Sequence, residues 1–248
     1  MKISIVTAVF NRVDCISDAL ESLHRQTHPE IEHVVIDGVS TDGTLELLRS
    51  RLCSHAVLVS EPDCGIYDAL NKGLVKATGE VIGLLHSDDF FADNQVLADV
   101  AKAFNDPAID AVYGDLQYVS KANTDKVIRH WRAGDYSRAH LGRGWMPPHP
   151  TLFLRRSVIE RWGGFDTRYR ISADYDAILR YFGQGAIRVA YIHRVLVKMR
   201  VGGESNRSLA KIWRKSCEDY RALKQNGVGG VGALVCKNVS KVGQFFRL

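Results

Sequence analysis

The sequence has few cysteines, and no two of them form a C-x-x-C pair. They are scattered along the 248 residues, at Cys15, Cys53, Cys64, Cys217 and Cys236. This spacing argues against a structural zinc site and against a disulfide framework. We therefore expect a protein of a reducing compartment, the cytosol.

Long apolar segments are also missing. No stretch reaches the roughly 18 uninterrupted apolar residues of a membrane-spanning helix. Residues 1–6 lead directly into a predicted strand, so we expect no secretory signal before the fold. The chain has no internal repeat, and its 46% hydrophobic and 25% charged residues are typical of a globular protein. The length predicts one large domain, alone or with an appendage.

The net charge of +5 comes from one end of the chain. Residues 206–248 contain nine basic and two acidic residues, a sum of +7, so residues 1–205 sum to −2. A basic tail suits nucleic acid or an anionic membrane surface. The body lacks a basic patch interleaved with aromatic residues, so we expect no nucleic-acid partner and favour a membrane surface.

Strand and helix patterns alternate along the first 92 residues. The predicted strands are residues 3–9, 33–37, 56–60 and 81–85, and the predicted helices cover about 14–26, a segment starting at 44, and about 66–77. This order is typical of an α/β fold with a Rossmann-like, mostly parallel central sheet flanked by helices.

The second half of the chain is less regular. Strands are predicted at residues 111–119, 151–154 and 187–192, and helices at about 95–104, 158–162 and 173–182. Residues 121–145 are predicted to form a loop or a strand pair over the site. A basic helix is predicted at 207–224. This tail helix can lie on an anionic membrane, or it can pack on the main domain of the chain or on a second subunit of a homo-oligomer.

Acidic residues follow three predicted strands. Asp37, Asp63 and the pair Asp88-Asp89 stand at carboxyl ends, which meet at one edge of a parallel sheet, where ligands bind. Paired carboxylates suit Mg²⁺ or Mn²⁺ shared with substrate phosphates. Turn or helix capping is the alternative for each of these acids, and for Asp42 it is the favoured interpretation.

Five motifs occur in the order found in a known enzyme family. Residues 3–12 resemble the first strand and nucleotide loop of that family, and residues 37–44 resemble its D-G-S-x-D-G-T turn. Residues 71–73 with 77–80 resemble its R-N-x-G … A-x-G-E segment. Ser87-Asp88-Asp89 resembles its D-x-D-type metal motif, and Asp174 resembles its E-D catalytic base. By these motifs residues 1–205 resemble the family 2 glycosyltransferases with the GT-A fold. Residues 61–73 and 202–205 resemble the branch of exopolysaccharide and colanic-acid synthesis.

The sequence departs from the family pattern at three positions. Leu70 replaces the arginine of R-N-x-G, so a basic contact to the nucleotide is expected from elsewhere, such as Arg12. His86 replaces the first acid of L-D-x-D-D, and Ala173 replaces the glutamate before Asp174.

The resemblance implies an inverting, metal-dependent glycosyltransferase that moves a sugar from a UDP-sugar to a glycan or lipid-linked acceptor in bacterial surface polysaccharide synthesis. Residues 1–92 would bind the nucleotide, residues 93–205 the acceptor, and residues 206–248 would be a basic helical extension. We expect a cytoplasmic enzyme, peripheral on the inner face of the membrane if the tail binds lipid, with Mn²⁺ or Mg²⁺ as cofactor.

The resemblance also assigns roles to residues. Asp89 would ligate the metal, and Asp174 would be the catalytic base, with helix capping as its alternative. His149 and Arg200 would lie on the acceptor side or supply a second ligand, and a structural role is the alternative for His149. The predicted nucleotide-sugar contacts are Thr7, Ala8, Phe10, Asn11, Arg12, Asp37, Asp63, Asn71, Ser87 and Asp88.

Two other functions use similar components. A sugar-nucleotide nucleotidyltransferase usually has a glycine-rich, basic phosphate loop near its N-terminus, and residues 7–14 lack one. A non-catalytic subunit that binds nucleotide sugars is the third possibility. The presence of both Asp89 and Asp174 argues against it.

Overall fold

The computed structural model describes residues 1–183, 187–201 and 209–242. The strands are β1 (Ile3–Val9), β2 (Ile31–Asp37), β3 (Val57–Ser60), β4 (Val81–Leu84), β5 (Asp89–Phe91), β6 (Ala111–Val119), β7 (Val127–Trp131), β8 (Phe153–Arg155) and β9 (Val189–Arg200). The helices are α1 (Ile16–His24), α2 (Thr44–Arg51), α3 (Ile66–Lys76), α4 (Val96–Ala103), α5 (Arg138–Leu141), α6 (Arg156–Trp162), α7 (Ala173–Gly183), α8 (Leu209–Gln225) and α9 (Val231–Val242). None of the described helices is long and apolar enough to cross a membrane.

All nine described strands join one sheet. Their order is β3-β2-β1-β4-β8-β6-β9-β5, with β7 beside β6. β1 is parallel to β2 and β4, β2 to β3, and β6 to β9. Because β8 is antiparallel to both β4 and β6, those two strands also run in the same direction. Six described strands therefore point the same way, which confirms the mostly parallel sheet, and β5, β7 and β8 oppose them.

β1 is the central strand of the first half, and all seven of its residues are buried. A continuous buried strand is typical of a parallel sheet with helices on both faces. α1 covers one face through its buried stripe, which includes Ile16 and Leu20. α3 covers the other face, and its Gly73 lies so close to Val6 that an added Cβ would be 2.3 Å from Val6 Cγ1.

The second half differs from the sequence-based expectation in three places. Residues 121–145 contain β7 and α5, so a strand and a short helix stand where a loop or strand pair was predicted. β9 continues to Arg200, eight residues beyond the predicted end. Asp89 begins the short strand β5, which was not predicted and which pairs with β9.

The C-terminal helices α8 and α9 pack on α7 and belong to the same body as the sheet. Ala222, Leu223 and Ala233 are buried in the second hydrophobic core. Lys237 and Asp219 are also buried and form an ion pair at 2.8 Å. Of the alternatives for the tail, packing on the catalytic domain is therefore what the described residues show.

A buried carboxylate joins the first strands. Glu32 of β2 accepts hydrogen bonds from Lys2 Nζ at 2.8 Å, from the Ser4 hydroxyl at 2.5 Å, and from the backbone N–H of Thr78 at 2.7 Å. Burial opposes the charged form, but these donors outweigh it and hold the pKa of Glu32 at about 2, against an ordinary value of 4.5. Glu32 therefore stabilises the junction of β1, β2 and the segment before β4.

We expect Glu32→Gln to lower the free energy of unfolding at pH 7 by up to about 3.5 kcal/mol, because the pKa falls from 4.5 to about 2 and each unit is worth about 1.4 kcal/mol. The folded-state pKa is depressed, so this stabilisation is present above pH 4.5 and is lost progressively as the pH falls towards 2. Urea unfolding across this range would measure it. Glu46→Gln is the control, because Glu46 is exposed. If the free energy of unfolding depended on pH identically in both variants, the stabilising role of Glu32 would be contradicted.

Candidate active site

The carboxyl ends of β1, β2 and β4 lie at one edge of the sheet. Val9 pairs in register with Asp37, and β4 runs parallel beside β1. The loop after β3 lies beside the loop after β2, because a Cβ added at Gly38 would be 2.5 Å from Asp63 Oδ2. The acidic loops thus converge at one edge, as the sequence predicts.

The loop after β1 is held by the turn after β2. Asn11 has a positive φ of 51°, its side-chain oxygen accepts the Thr41 N–H at 2.9 Å, and its own N–H is donated to the Ser40 hydroxyl at 2.9 Å. Arg12 donates to the Asn11 carbonyl at 2.9 Å. This bracing leaves the ring of Phe10 55% exposed at the end of the strand.

Two acids of this edge hold turns. Asp37 is fully buried, and its carboxylate accepts the Ser40 N–H at 3.2 Å and the Ser60 hydroxyl at 2.6 Å. Asp42 accepts the Thr44 N–H at 3.0 Å at the start of α2. The turn role expected for Asp42 is therefore observed, and Asp37 contacts protein groups in the same manner.

Three further residues predicted to contact the nucleotide are engaged within the protein. The hydroxyl of buried Thr7 lies 3.0 Å from His33 Nε2, and Ala8 is buried in the core. The side-chain amide of Asn71 makes two hydrogen bonds of 2.8 Å with the backbone of Phe165. These residues therefore support the sheet edge from below and from the side.

The Asp88-Asp89 motif is a turn that leads into β5. Asp89 is 1% exposed, and its Oδ1 accepts the Arg200 N–H at 3.3 Å. Its buried Oδ2 has no hydrogen-bond partner among the described residues. Burial, reinforced by repulsion from Asp88, raises the pKa of Asp89 well above its ordinary value. Ser87, one residue before the pair, is also buried.

Arg200 braces this turn from β9. Its guanidinium donates to the Asp88 carbonyl at 2.8 Å, pairs with Asp18 and lies 5.0 Å from the centre of the Phe90 ring. A guanidinium has no free lone pair, so Arg200 does not supply the second metal ligand considered from the sequence. Residues 202–205, which resemble the branch of exopolysaccharide and colanic-acid synthesis, lie outside the described residues.

The turn fits a divalent cation that is shared with substrate. A buried carboxylate with an unpartnered oxygen needs a compensating positive charge. No group of three or more His, Cys, Asp and Glu side chains in the described ranges could hold a metal ion alone. Mg²⁺ and related ions are commonly held by one or two carboxylates together with substrate phosphates. Asp89 meets this description.

Asp174 lies at the first turn of α7 and contacts a histidine. Its Oδ2 is 3.1 Å from His149 Nδ1, and its Oδ1 is 3.2 Å from the hydroxyl of Tyr67. His149 Nε2 is in turn 3.1 Å from His86 Nε2. Both ring nitrogens of His149 are therefore engaged, which leaves neither free to bind a metal in this arrangement.

The helix that carries Asp174 is capped by a residue from α8. The Glu218 carboxylate accepts the backbone N–H groups of Arg170, Ile171 and Ser172 at 3.2, 2.8 and 3.0 Å. An acid at this helix end also interacts favourably with the helix dipole. Asp174 is the second residue of α7, inside the helix rather than before it, and its carboxylate contacts the side chains of His149 and Tyr67.

The two acidic centres, Asp88-Asp89 and Asp174, face common neighbours. Burial raises the pKa of Tyr118 on β6, and the charges of Asp89 and Asp174 both add to the increase. The pKa of His86 responds to both Asp88 and Asp174. The structure therefore brings together a predicted metal motif and a predicted base that are separated by about 85 residues in the chain.

Sequence reasoning missed Tyr67, Tyr118 and Glu218. Tyr67 and Tyr118 carry no distinguishing pattern, because a tyrosine in a helix or strand is most often a packing residue. Glu218 belongs to a helix that only the fold brings beside α7. The one available signal was His86, which stands where the family pattern has an acid.

Comparison with known proteins decides the family. The profile described as Glycosyl transferase family 2 matches residues 4–163. The chain belongs to this family. Family 2 membership is supported by the PGL/p-HBAD biosynthesis glycosyltransferase of Mycobacterium bovis (strain BCG / Pasteur 1173P2), which is 33% identical over 218 residues, 86% of this chain and 82% of the relative.

Another relative of this glycosyltransferase has a less specific name. An uncharacterized glycosyltransferase of Nostoc sp. (strain PCC 7120 / SAG 25.82 / UTEX 2576) is 28% identical over 241 residues, which are 92% of this chain and 72% of the relative. The relatives agree on the enzyme class, so the chain is a glycosyltransferase.

Solved structures with the same fold include two proteins in complex with nucleotide sugars. TarS residues 1–349 of S. aureus, in complex with UDP-GlcNAc, superposes with a TM-score of 0.70 at 20% identity and covers 92% of this chain and 66% of that one. The mannosyltransferase PcManGT of Pyrobaculum calidifontis, in complex with GDP-Man and Mn2+, gives 0.68 at 21% identity and covers 95% and 68%. These similarities confirm the predicted GT-A fold.

Proposed function

We propose that this glycosyltransferase inverts the anomeric carbon of a UDP-sugar and transfers the sugar to a hydroxyl of a glycan or lipid-linked acceptor of the bacterial cell surface. The observation that carries the proposal is the pair of carboxylate centres at one sheet edge. His86, two residues before Asp88, lies 3.1 Å from His149, and His149 lies 3.1 Å from Asp174. The Asp88-Asp89 centre suits the diphosphate leaving group, and Asp174 suits the attacking hydroxyl of the acceptor.

The donor would lie along the loops after β1, β3 and β4. Phe10 and Arg12 would contact the base and phosphates, Asp63 the base, and Asp88 with Ser87 the ribose. Support comes from the exposure of the Phe10 ring and from the fold shared with TarS, which was solved with UDP-GlcNAc. The residues engaged within the protein, Thr7, Ala8, Asn11, Asp37 and Asn71, would shape this pocket.

The buried, unpartnered Oδ2 of Asp89 would hold Mn²⁺ or Mg²⁺. Such an ion supplies charge neutralisation to the diphosphate as the glycosidic C–O bond breaks. The mannosyltransferase PcManGT was solved with Mn2+ in the same fold. Arg200 keeps the Asp88 carbonyl and the Asp89 carboxylate in place from β9.

Asp174 would be the general base. Its carboxylate accepts the proton of the acceptor hydroxyl while that oxygen attacks the anomeric carbon opposite the breaking C–O bond. The new bond then forms on the face opposite the leaving group, which inverts the configuration. The family profile ends at residue 163, so the assignment rests on the family resemblance and on the contact of Asp174 with His149, whose other ring nitrogen lies 3.1 Å from His86.

A lipid-linked acceptor would bring the enzyme to a membrane, and α9 has a suitable surface. Val231, Val235 and Val239 are 64%, 54% and 63% exposed. Their four-residue spacing places them on one helix face, opposite buried Ala233 and Lys237. The valines stand within the region whose net charge is +7, so we propose that this face rests on an anionic lipid surface.

Vesicle sedimentation tests this surface. We expect the wild-type protein to sediment with phosphatidylglycerol vesicles more than with phosphatidylcholine vesicles, and the triple variant Val231→Ser, Val235→Ser, Val239→Ser to lose most of this binding. Val75→Ser is the control, because Val75 is 84% exposed on α3. Equal sedimentation of the triple variant and the wild type would refute the membrane role of α9.

A panel of nucleotide sugars, incubated with the protein and Mn²⁺ without acceptor, tests the function itself. A glycosyltransferase slowly hydrolyses its own donor, so we expect free UDP and free sugar from one UDP-sugar. A nucleotidyltransferase would instead form UTP when pyrophosphate is added. Binding of a donor with no release of UDP, even with candidate acceptors present, would favour a non-catalytic subunit.

A further inference from the structure

Two histidines form a hydrogen-bonded chain with the proposed base. His149 Nδ1 lies 3.1 Å from Asp174 Oδ2, and His149 Nε2 lies 3.1 Å from His86 Nε2. The two rings meet edge to face, with centroids 5.2 Å apart and planes at 70°. The chain thus runs from the residue before the Ser87-Asp88-Asp89 motif to the start of α7.

The protons of this chain can be assigned from its chemistry. A carboxylate only accepts hydrogen bonds, so His149 donates to Asp174 from Nδ1. A neutral imidazole carries one N–H, so His149 Nε2 is an acceptor and His86 donates from its own Nε2. Burial lowers the pKa of both histidines, that of His86 to about 4, so both rings are neutral at pH 7.

We propose that His149 is a positioning residue that fixes the Asp174 carboxylate towards the acceptor, and that His86 holds His149 in the required tautomer. The inference rests on the proposed function, because it gives the histidines their role through the proposed base. Tyr67 contacts the other oxygen of Asp174 at 3.2 Å. The single proton of the Tyr67 hydroxyl is closer to the Ile171 carbonyl, at 2.6 Å, so the hydrogen bond from His149 is the contact that fixes the orientation of the carboxylate.

The surroundings strengthen this contact. His149 and Asp174 line a cavity of about 40 Å³ whose other walls are mainly apolar. These walls include Leu74, Ile82, Leu84, Leu152, Leu154 and Ile159. A hydrogen bond to a carboxylate is stronger in such surroundings than in water.

The chain also gives a reason for the departure from the family pattern at position 86. The acid that the family usually has there would accept a hydrogen bond from His149 Nε2 and so favour a charged ring. A charged His149 would stabilise the ionised form of Asp174 and make it a weaker base. Histidine at position 86 donates instead and leaves His149 neutral.

Nitrogen NMR of the full chain labelled with [¹⁵N]histidine tests the tautomers without substrate. Two-bond ¹H–¹⁵N correlations distinguish an Nδ1–H ring from an Nε2–H ring. We expect His149 as the neutral Nδ1–H tautomer and His86 as the Nε2–H tautomer at pH 7, with signals assigned from His86→Gln and His149→Asn. Protonation of His149 on Nε2, or a doubly protonated His149, would overturn the proposal.

Kinetics test the positioning role. Leucine at position 149 has no N–H, whereas asparagine places an amide N–H near the position of Nδ1. General bases contribute about 10²–10⁴-fold to rate, so we expect His149→Leu to lower kcat by about 100-fold with the donor KM changed less than about two-fold. His149→Asn should recover at least about ten-fold of that loss. Equal impairment of both variants, or wild-type kcat in His149→Leu, would contradict positioning.

A second pair of variants, at His86, tests the proposal if His149→Leu does not fold. His86→Gln keeps a donor near Nε2, and His86→Met removes it, so only His86→Met should change the His149 tautomer. Thermal unfolding and UDP binding report whether each variant is folded. If the wild-type protein hydrolyses no nucleotide sugar, the proposed function fails, whereas the tautomers separately decide the arrangement of the histidines.

Discussion

Replacement of Asp174 with asparagine is expected to abolish sugar transfer while the donor still binds. Asparagine has nearly the same shape and keeps an oxygen for Tyr67, but it cannot accept the proton of the acceptor hydroxyl. A general base contributes about 10²–10⁴-fold, so we expect kcat to fall by that factor. The donor site lies on the loops after β1, β3 and β4, so the affinity for UDP should change little.

The comparison needs both a transfer assay and a binding assay. Isothermal calorimetry with UDP and Mn²⁺ would measure binding, and release of UDP in the presence of acceptor would measure turnover. Asp125→Asn is a matched control, because Asp125 is an exposed aspartate in the loop between β6 and β7. Near-normal turnover of Asp174→Asn would show that another group removes the proton.

The same substitution also acts on the histidine chain. An amide at position 174 can turn its NH₂ group towards His149 Nδ1, which would then have to accept rather than donate. His149 would change tautomer, and its contact with His86 would follow. The activity loss of Asp174→Asn and a changed His149 signal should therefore occur together, which links the base to its neighbours in one experiment.

The first half of the fold could be predicted from the sequence because its strands are continuous apolar runs. β1 has the predicted bounds, since burial on both faces leaves little room for another interpretation, and β6 of the second half also has them. β9 was predicted too short. Its exposed His193 and partly exposed Arg194 interrupt the apolar pattern, and the strand is maintained there by pairing with β6 across register shifts.

The sequence predicts only the part of the site that follows from the order of strands and loops along the chain. Acids at strand ends converge because parallel strands share an edge, so Asp63 and Asp88-Asp89 could be grouped from sequence. The partners of each acid come from other loops. Ser60 satisfies Asp37, and His149 reaches His86 across 63 residues. These partners decide which acid holds a turn and which remains available, and the sequence pattern contains no information on them.

Loss of metal-dependent donor binding is the second large effect that we expect, on replacing Asp89 with asparagine. Asp89 is buried, its Oδ2 has no described partner, and it is the residue that fits a cation shared with the diphosphate. In the wild type Mn²⁺ should increase the affinity for UDP. In Asp89→Asn the affinity should be the same with Mn²⁺ and with EDTA, as measured by calorimetry.

The effect of Asp89→Asn on the unfolding temperature should differ between the protein without ligand and the protein with Mn²⁺ and UDP. Without ligand, asparagine replaces a buried carboxyl group whose raised pKa already disfavours the charged form, so Asp89→Asn should be at least as stable as the wild type. With Mn²⁺ and UDP at about 100 times the dissociation constant, the wild type gains about 2.7 kcal/mol, or about 5–10 °C, and the variant should not. Asp125→Asn should gain as the wild type does. A variant that is destabilised without ligand but still stabilised by Mn²⁺ and UDP would make Asp89 a structural residue, and the cation would have to be held by the diphosphate and other groups.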